Sequence, residues 1–519
     1  MNTISWGQTL IVFGWWSMGG MLAGAGQETQ PLVAIHDSEL TRALDATNAP
    51  AVPPTPTGFG MTGLQWWPTN WHYFVLPESV QEALRADGTA FTVIHDGQIS
   101  NGWLLTNGLP RYPIVISLAA EAIGDDEIAR LTNYVAAGGF LLVGSSAFTR
   151  TPEGAPRGDF AFANEMGLHL VNPALTNWVS NATFSKQVEH RLVSHIPAGV
   201  LTWRMPPSAE EIFWGVFPSH IYQAGHYLWQ VRPTNDAIVV AAGDTVPYLV
   251  VKPFGKGYFI YHAAYQPLVG HGGFAPGMYA YGIMRKAIEW AFESARQPIP
   301  KLSPWPYPYD AAFMVRHDLE NYSNSIAGIE ASARFEYTNG AKGEYYFCTG
   351  TLREDMAGAF DTKAVIDGLR RAVSQYEATI GPHNGGLKNP RNPSLVRGDY
   401  QYWHWGPDEA LDVLPTNYPS GKAYALTSIS NSFLDIESWL AGLTNGQRAW
   451  ASCYFNSTRE DSLDILDQLG VDTVGEEKLT PFPHWTLSTS QSGKRYPFLN
   501  VPVSDWFING AVAQSLEPW

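Results

Sequence analysis

The stretch Ala311-Ala312-Phe313-Met314-Val315-Arg316-His317-Asp318-Leu319-Glu320-Asn321 decides how the second half of this chain is read. A short apolar run ends in a dense polar cluster. A buried parallel strand has this pattern when it delivers side chains to a site at its C-terminal end. Strand alternation puts Asp318 and Glu320 on one face and His317 on the other. Two carboxylates two residues apart would then converge on one point, where one can hold a metal ion and the other accept a proton. The competing reading is a capped strand end with solvated charges.

Outward from this stretch, alternation of strand and helix continues to the C-terminal side. Strands are expected at Gly343 to Cys348, Ala378 to His383, Ala449 to Phe455 and Val471 to Val474, and helices at Asp361 to Gln375 and Asp461 to Leu469. The first helix has Val365, Ile366, Leu369 and Val373 on one face. A (β/α) barrel, complete or not, is the natural architecture. On the N-terminal side, prolines at 298, 300, 304, 306 and 308 read as a stiff linker and a domain boundary.

Before the linker a second α/β pattern appears. Phe91 to Ile94, Tyr112 to Ser117 and Phe140 to Gly144 read as strands. A helix from Gly124 carries acids in its first turn, where the helix dipole favours them. Ile128, Leu131, Tyr134 and Val135 give that helix an apolar face, and Gly138-Gly139 ends it. The unit is a right-handed crossover in an open parallel sheet.

The chain has 519 residues, enough for two or three domains, with a net charge of -16 and only 15% charged residues. That charge argues against nucleic acid or an anionic membrane surface as a partner. The 20 Trp, 24 Tyr and 24 Phe supply flat apolar faces of the kind that sugar clefts use, although core packing takes most such rings. Residues 1–26 read as a secretory signal, with an apolar stretch from Thr9 and a small-residue cleavage site at Ala23-Gly24-Ala25. An uncleaved N-terminal anchor is the alternative. No later segment is long and apolar enough to span a bilayer. A secreted, periplasmic or cell-surface location follows. In that setting Cys348 and Cys453 could form a disulfide or remain buried thiols.

Two resemblances add to this reading. Residues 125–147, DDEIARLTNYVAAGGFLLVGSSA, and 248–265, YLVVKPFGKGYFIYHAAY, with a closing helix from about Met278 to Ala295, resemble the class I glutamine amidotransferase-like fold. Active members of that family carry a cysteine at the turn where Ser145 and Ser146 stand here. The resemblance therefore implies a flavodoxin/amidotransferase-like, non-catalytic α/β domain over residues 27–297.

Residues 298–519 resemble the polysaccharide deacetylase superfamily, carbohydrate esterases with a distorted (β/α) barrel. RHDLE looks like the first family motif. On that register Asp318 is the catalytic base and Glu320 a metal ligand. On the adjacent-pair register Asp318 itself is the ligand, with His317 its neighbour. ATIGPHNGG makes His383 the first histidine ligand. HWGPDEAL makes His404, 21 residues further on, the second, where the family usually places the two only a few residues apart.

YFNSTREDSLDILDQLGV, residues 454–471, resembles the third motif without its base-orienting arginine, a place that Arg316 or Arg459 could fill. His484, in TPFPHW, is the candidate general acid. Arg316, Trp403, Trp405 and Trp485 are the candidate substrate-binding residues. The resemblance implies a divalent ion, zinc above all, that activates water for hydrolysis of N-acetyl groups on an amino-sugar polysaccharide. Two alternatives remain beside this deacetylase. One is a carbohydrate-binding or structural surface protein without activity. The other is a metal-independent glycoside hydrolase that uses carboxylates such as Glu344, Glu476 or Glu477.

Overall fold

A computed structural model describes residues 32–46, 72–172, 177–202, 226–264, 277–387, 419–451, 460–475 and 480–502, apart from single positions within those ranges. The signal-like segment 1–26, the 66–71 tryptophan patch, Cys453, Arg459, Glu476, Glu477, and the Trp403, His404 and Trp405 cluster lie outside the described residues.

The first part is a mixed α/β unit built on a nine-stranded sheet. Its parallel half contains β1 (Val33–His36), β2 (Phe91–Ile94), β3 (Ile114–Leu118), β4 (Phe140–Gly144) and β9 (Gly257–His262). Its antiparallel half contains β5 (Thr183–Lys186), β6 (Val200–Thr202), β7 (Ile238–Ala242) and β8 (Pro247–Phe254). The order across the sheet is β6-β5-β7-β8-β9-β4-β3-β1-β2. Numbered along the chain, the five parallel strands run 2-1-3-4-5, a doubly wound order whose direction reverses between β1 and β3.

Every residue of β3 and β4 is buried, as expected of parallel strands covered on both faces. Helix α1 (Val75–Asp87) and helix α2 (Asp125–Ala136) belong to this unit. Leu131, Tyr134 and Val135 of α2 are fully buried, and the Tyr134 hydroxyl donates to the carbonyls of Tyr112 and Phe140. Tyr134 also lies where a side chain on Gly139 would be, so the turn into β4 requires glycine.

The proline-rich segment is more than a spacer. Leu302 N–H donates to the Gly88 carbonyl and Ala90 N–H to that of Pro300, so residues 300–302 lie along the end of α1. Asp87, fully buried there, pairs with Lys301 and with Arg285 and Tyr281 of α3 (Gly277–Ser294). Burial alone would raise its pKa, but these three partners outweigh burial and lower it.

The second part holds two smaller sheets. Strands β10 (Val315–Glu320), β11 (Gly343–Phe347) and β12 (Thr379–Pro382) are parallel neighbours in that order. Their outer face packs on α4 (Ile329–Thr338) and α5 (Thr362–Tyr376) through Phe347, Tyr345, Ala333, Leu369 and Ala372. The second sheet runs β13 (Ala449–Trp450), β14 (Thr473–Val474), β16 (Arg495–Asn500), β15 (His484–Leu487), and only β15 is antiparallel. Ala451 N–H reaches the Pro382 carbonyl at 3.4 Å and so links β12 to the β13 end of that sheet. Among the described residues, no helix is long and apolar enough to cross a membrane.

Candidate active site

Alternation along β10 places His317 on the outer face, as the sequence predicts. Its ring stacks on Tyr345 at 4.6 Å and pairs with Glu336 of α4. Arg316 and Asp318 take the inner face. There the register sets Arg316 opposite Glu344 and Asp318 opposite Tyr346. The Arg316 guanidinium grips Asp318 through two parallel bonds, Nε to Oδ1 at 2.7 Å and Nη2 to Oδ2 at 2.8 Å. Its remaining edge donates to the Gly475 carbonyl just after β14, and its face lies over the Tyr346 ring at 5.3 Å. The Tyr346 hydroxyl donates to Glu344 Oε2 at 3.0 Å. Gly381 on β12 leaves the space that the Tyr346 ring fills.

His383 follows β12 and is buried. Its Nδ1 meets the Ala451 carbonyl at 3.0 Å, which fixes the proton on that nitrogen and leaves the lone pair on Nε2. The Cys348 thiol donates to the His383 carbonyl at 3.1 Å, so this cysteine serves as a buried hydrogen-bond donor.

The environment separates these groups electrostatically. Burial would raise the Asp318 carboxyl, but the charge of Arg316 and its hydrogen bonds outweigh it and hold Asp318 below the usual carboxylate range. Glu344 is raised by burial, with Asp318 adding to the effect. His383 is lowered by burial to about 4 and stays neutral. A carboxyl inclined to keep its proton and a carboxylate held ionised therefore share one strand pair. That is the division of labour acid–base catalysis requires.

Several sequence expectations change here. The pairing register slips between Asp318 and Glu320, where Glu320 opposes Phe347, so the strand is not regular over the expected carboxylate pair. Arg316, expected to bind substrate or to stand in for the missing arginine, bonds Asp318 and the Gly475 carbonyl. His484, expected as the general acid, starts β15 with both ring nitrogens engaged, by the Phe482 carbonyl and by Asn500. It braces a hairpin. Trp485 is 39% exposed, and its backbone N–H donates to Glu82 of α1. On this face both Asp318 oxygens lie on a guanidinium, Glu344 accepts from the Tyr346 hydroxyl, and His383 supplies one imidazole. His404, one of the expected zinc ligands, lies outside the described residues, and no step is derived through a metal here.

Sequence reading missed a second cluster at the β1/β3 reversal of the large sheet. His36 ends β1. Its Nδ1 shares a hydrogen bond with Ser117 Oγ of β3 at 2.8 Å, and its Nε2 lies 2.8 Å from Asp96 Oδ1. Asp96 Oδ2 accepts from Leu40 N–H at 2.7 Å and from Ser38 Oγ at 3.2 Å. Glu127 of α2 faces this group rather than solvent. Burial, then the charge of Asp96, push it up to about 8. A signal for the cluster existed, since Ile35-His36-Asp37 and Ile94-His95-Asp96 repeat one tripeptide at the ends of two strands. Beside it, Asp37, Arg42, Glu78, Gln81, Leu487 and Arg495 line a cavity of about 590 Å³. Ser146, at the place of the amidotransferase cysteine, donates to Glu121, which pairs with Arg150.

No family model and no curated protein matches the chain. Among solved structures it is similar to a β-galactosidase from Rahnella sp. R3, with 16% identity, 54% of this chain and 33% of that chain covered, and a TM-score of 0.33. The GH42 β-galactosidase Gan42B from G. stearothermophilus gives 13%, 52%, 31% and 0.31 in its catalytic-mutant form. A cytoplasmic protein from Salmonella typhimurium gives 13%, 43%, 87% and 0.28. The chain spans about a third of the length of these β-galactosidases.

The expectation of an amino-sugar N-deacetylase is corrected here. No family model or curated protein matches as a deacetylase, and both Asp318 oxygens are held by the Arg316 guanidinium.

Proposed function

We propose that the chain is a hydrolase acting on a glycosidic bond of a carbohydrate. Glu344 is the proton donor and Asp318 the ionised carboxylate. The observation that supports this most is the opposite displacement of the two carboxyls on one inner face, Glu344 upward and Asp318 downward. Cleavage of an acetal needs a protonated carboxyl for the departing oxygen. It also needs a carboxylate to steady positive charge or activate water, and it uses neither an oxyanion hole nor a thiol or serine nucleophile. Pleated-strand spacing sets the backbones of these two residues about 8 Å apart on adjacent strands, which leaves room for a water or a sugar ring between their side chains. Arg316 keeps Asp318 charged and aimed, and the neutral His383 offers a lone pair beside it.

In this reading residues 298–519 form an incomplete (β/α) barrel, and residues 27–297 an amidotransferase-like α/β unit that supports it. The test is release of reducing sugar from a panel of polysaccharides and aryl glycosides by the full chain. Activity on at least one substrate that falls at least a hundredfold in both Glu344→Gln and Asp318→Asn supports the proposal. Activity that is untouched by both substitutions removes it.

A further inference from the structure

We infer that His36, Asp96 and Glu127 form a binding site for one divalent transition-metal ion at the C-terminal edge of the large sheet. Three separate segments deliver them: the end of β1, the residue pair after β2, and the first turn of α2. Each brings one ligand atom to within 4.8 Å of the other two, and all three residues are buried. One imidazole nitrogen and two carboxylate oxygens, with water in the open positions, suit zinc, manganese or ferrous iron.

The independent observation is an orphaned atom. Glu127 is only 2% exposed, and its Oε2 accepts from Gly124 N–H at 2.8 Å. Its Oε1 is buried with no hydrogen-bond partner. A buried polar atom left unpaired costs on the order of 1–3 kcal/mol, so such atoms call for an explanation. Among the described residues, no lysine or arginine pairs with either Asp96 or Glu127.

The surroundings are already arranged as a support for metal ligands. Leu40 N–H and Ser38 Oγ hold Asp96 by Oδ2 and leave Oδ1 toward His36. Ser117 Oγ can accept the Nδ1 proton of His36, which turns the Nε2 lone pair inward. The 2.8 Å between Nε2 and Asp96 Oδ1 is a hydrogen bond, which would open to about 3.3 Å if both atoms bound one tetrahedral ion.

The experiment uses the full chain, stripped with a chelator and titrated with zinc by calorimetry and with cobalt by visible absorbance. About one equivalent of metal should bind, with a cobalt ligand-field band, a rise in Tm, and at least tenfold weaker binding in His36→Gln and in the isosteric Glu127→Gln. His383→Gln should bind as wild type does. The wild-type cobalt band needs no variant, so a misfolded substitution leaves the test intact. No metal uptake by wild type, or uptake that survives both His36→Gln and Glu127→Gln, overturns the site. So does uptake lost in His383→Gln. A metal-free result here leaves the Glu344/Asp318 proposal standing, because that proposal is read by sugar release alone.

Discussion

Two acidic clusters in this molecule use nearly the same side chains and reach opposite conditions. On the inner face of β10–β12, Asp318 and Glu344 lie with His383, and Arg316 closes on Asp318 with two bonds. At the β1/β3 edge, Asp96 and Glu127 lie with His36, and among the described residues no guanidinium or ammonium pairs with either. In the first cluster the fixed cation lets one carboxylate stay ionised while its neighbour drifts toward the neutral form. In the second, burial and then the charge of Asp96 drive Glu127 up to about 8, and one of its oxygens has no hydrogen-bond partner. The difference teaches that the balancing cation decides what an acidic cluster can do. A built-in arginine makes an acid–base pair. A missing one leaves a place for a proton or a metal ion.

The largest effect that can break this comparison lies in catalysis. Replacing Glu344 by Gln or Asp318 by Asn removes one partner of the acid–base pair, and sugar release should fall by about two to four orders of magnitude. Next comes the clamp itself. Arg316→Ala leaves Asp318 partly buried without its counter-charge and should destabilise the chain by about 3 kcal/mol, measured by urea unfolding. Arg316→Lys should recover only part of this, because an ammonium cannot form the two parallel bonds.

A comparable effect is expected from pH. His383 in the folded chain titrates at about 4, below its ordinary value of 6.5. Between these values the unfolded chain binds more protons than the folded one, so stability is complete above pH 6.5 and lost as pH falls toward 4. The loss amounts to about 3 kcal/mol, and His383→Gln should flatten that part of the stability curve. The smallest effect belongs to Ser117→Ala, which removes one hydrogen bond from His36 and should cost about 1 kcal/mol. A Ser117→Ala loss as large as that of Arg316→Ala would undo the contrast between a clamped cluster and a loosely balanced one.

The mixed α/β character with a large parallel sheet was legible in the residues, whereas the second part holds two smaller sheets where a (β/α) barrel was expected. Apolar runs such as Phe140 to Gly144 and Phe91 to Ile94 became strands with the expected bounds, the first wholly buried and the second a half-buried edge. The site was legible only where local rules hold. Alternation correctly sent His317 outward, and the register slip that follows between Asp318 and Glu320 is one no local pattern announces. The role of Arg316 depended on the reach of its side chain to Asp318 and on Gly475, which is distant in sequence. Glu127 read as an exposed first-turn acid, since helix periodicity cannot reveal that His36 and Asp96 wait across the fold. The repeated Ile-His-Asp tripeptide at 35–37 and 94–96 was the local clue, and its meaning depends on β1 and β2 being neighbours.

The central claim is the division of roles between Glu344 and Asp318. Its most direct test is the pH dependence of glycoside hydrolysis by wild type, Glu344→Gln and Asp318→Asn. Wild type should give a bell-shaped profile. Its rising limb belongs to ionisation of Asp318 and its falling limb, at higher pH, to loss of the Glu344 proton, and Glu344→Gln should abolish the falling limb together with most of the rate. A profile whose falling limb survives unchanged in Glu344→Gln would contradict the assignment.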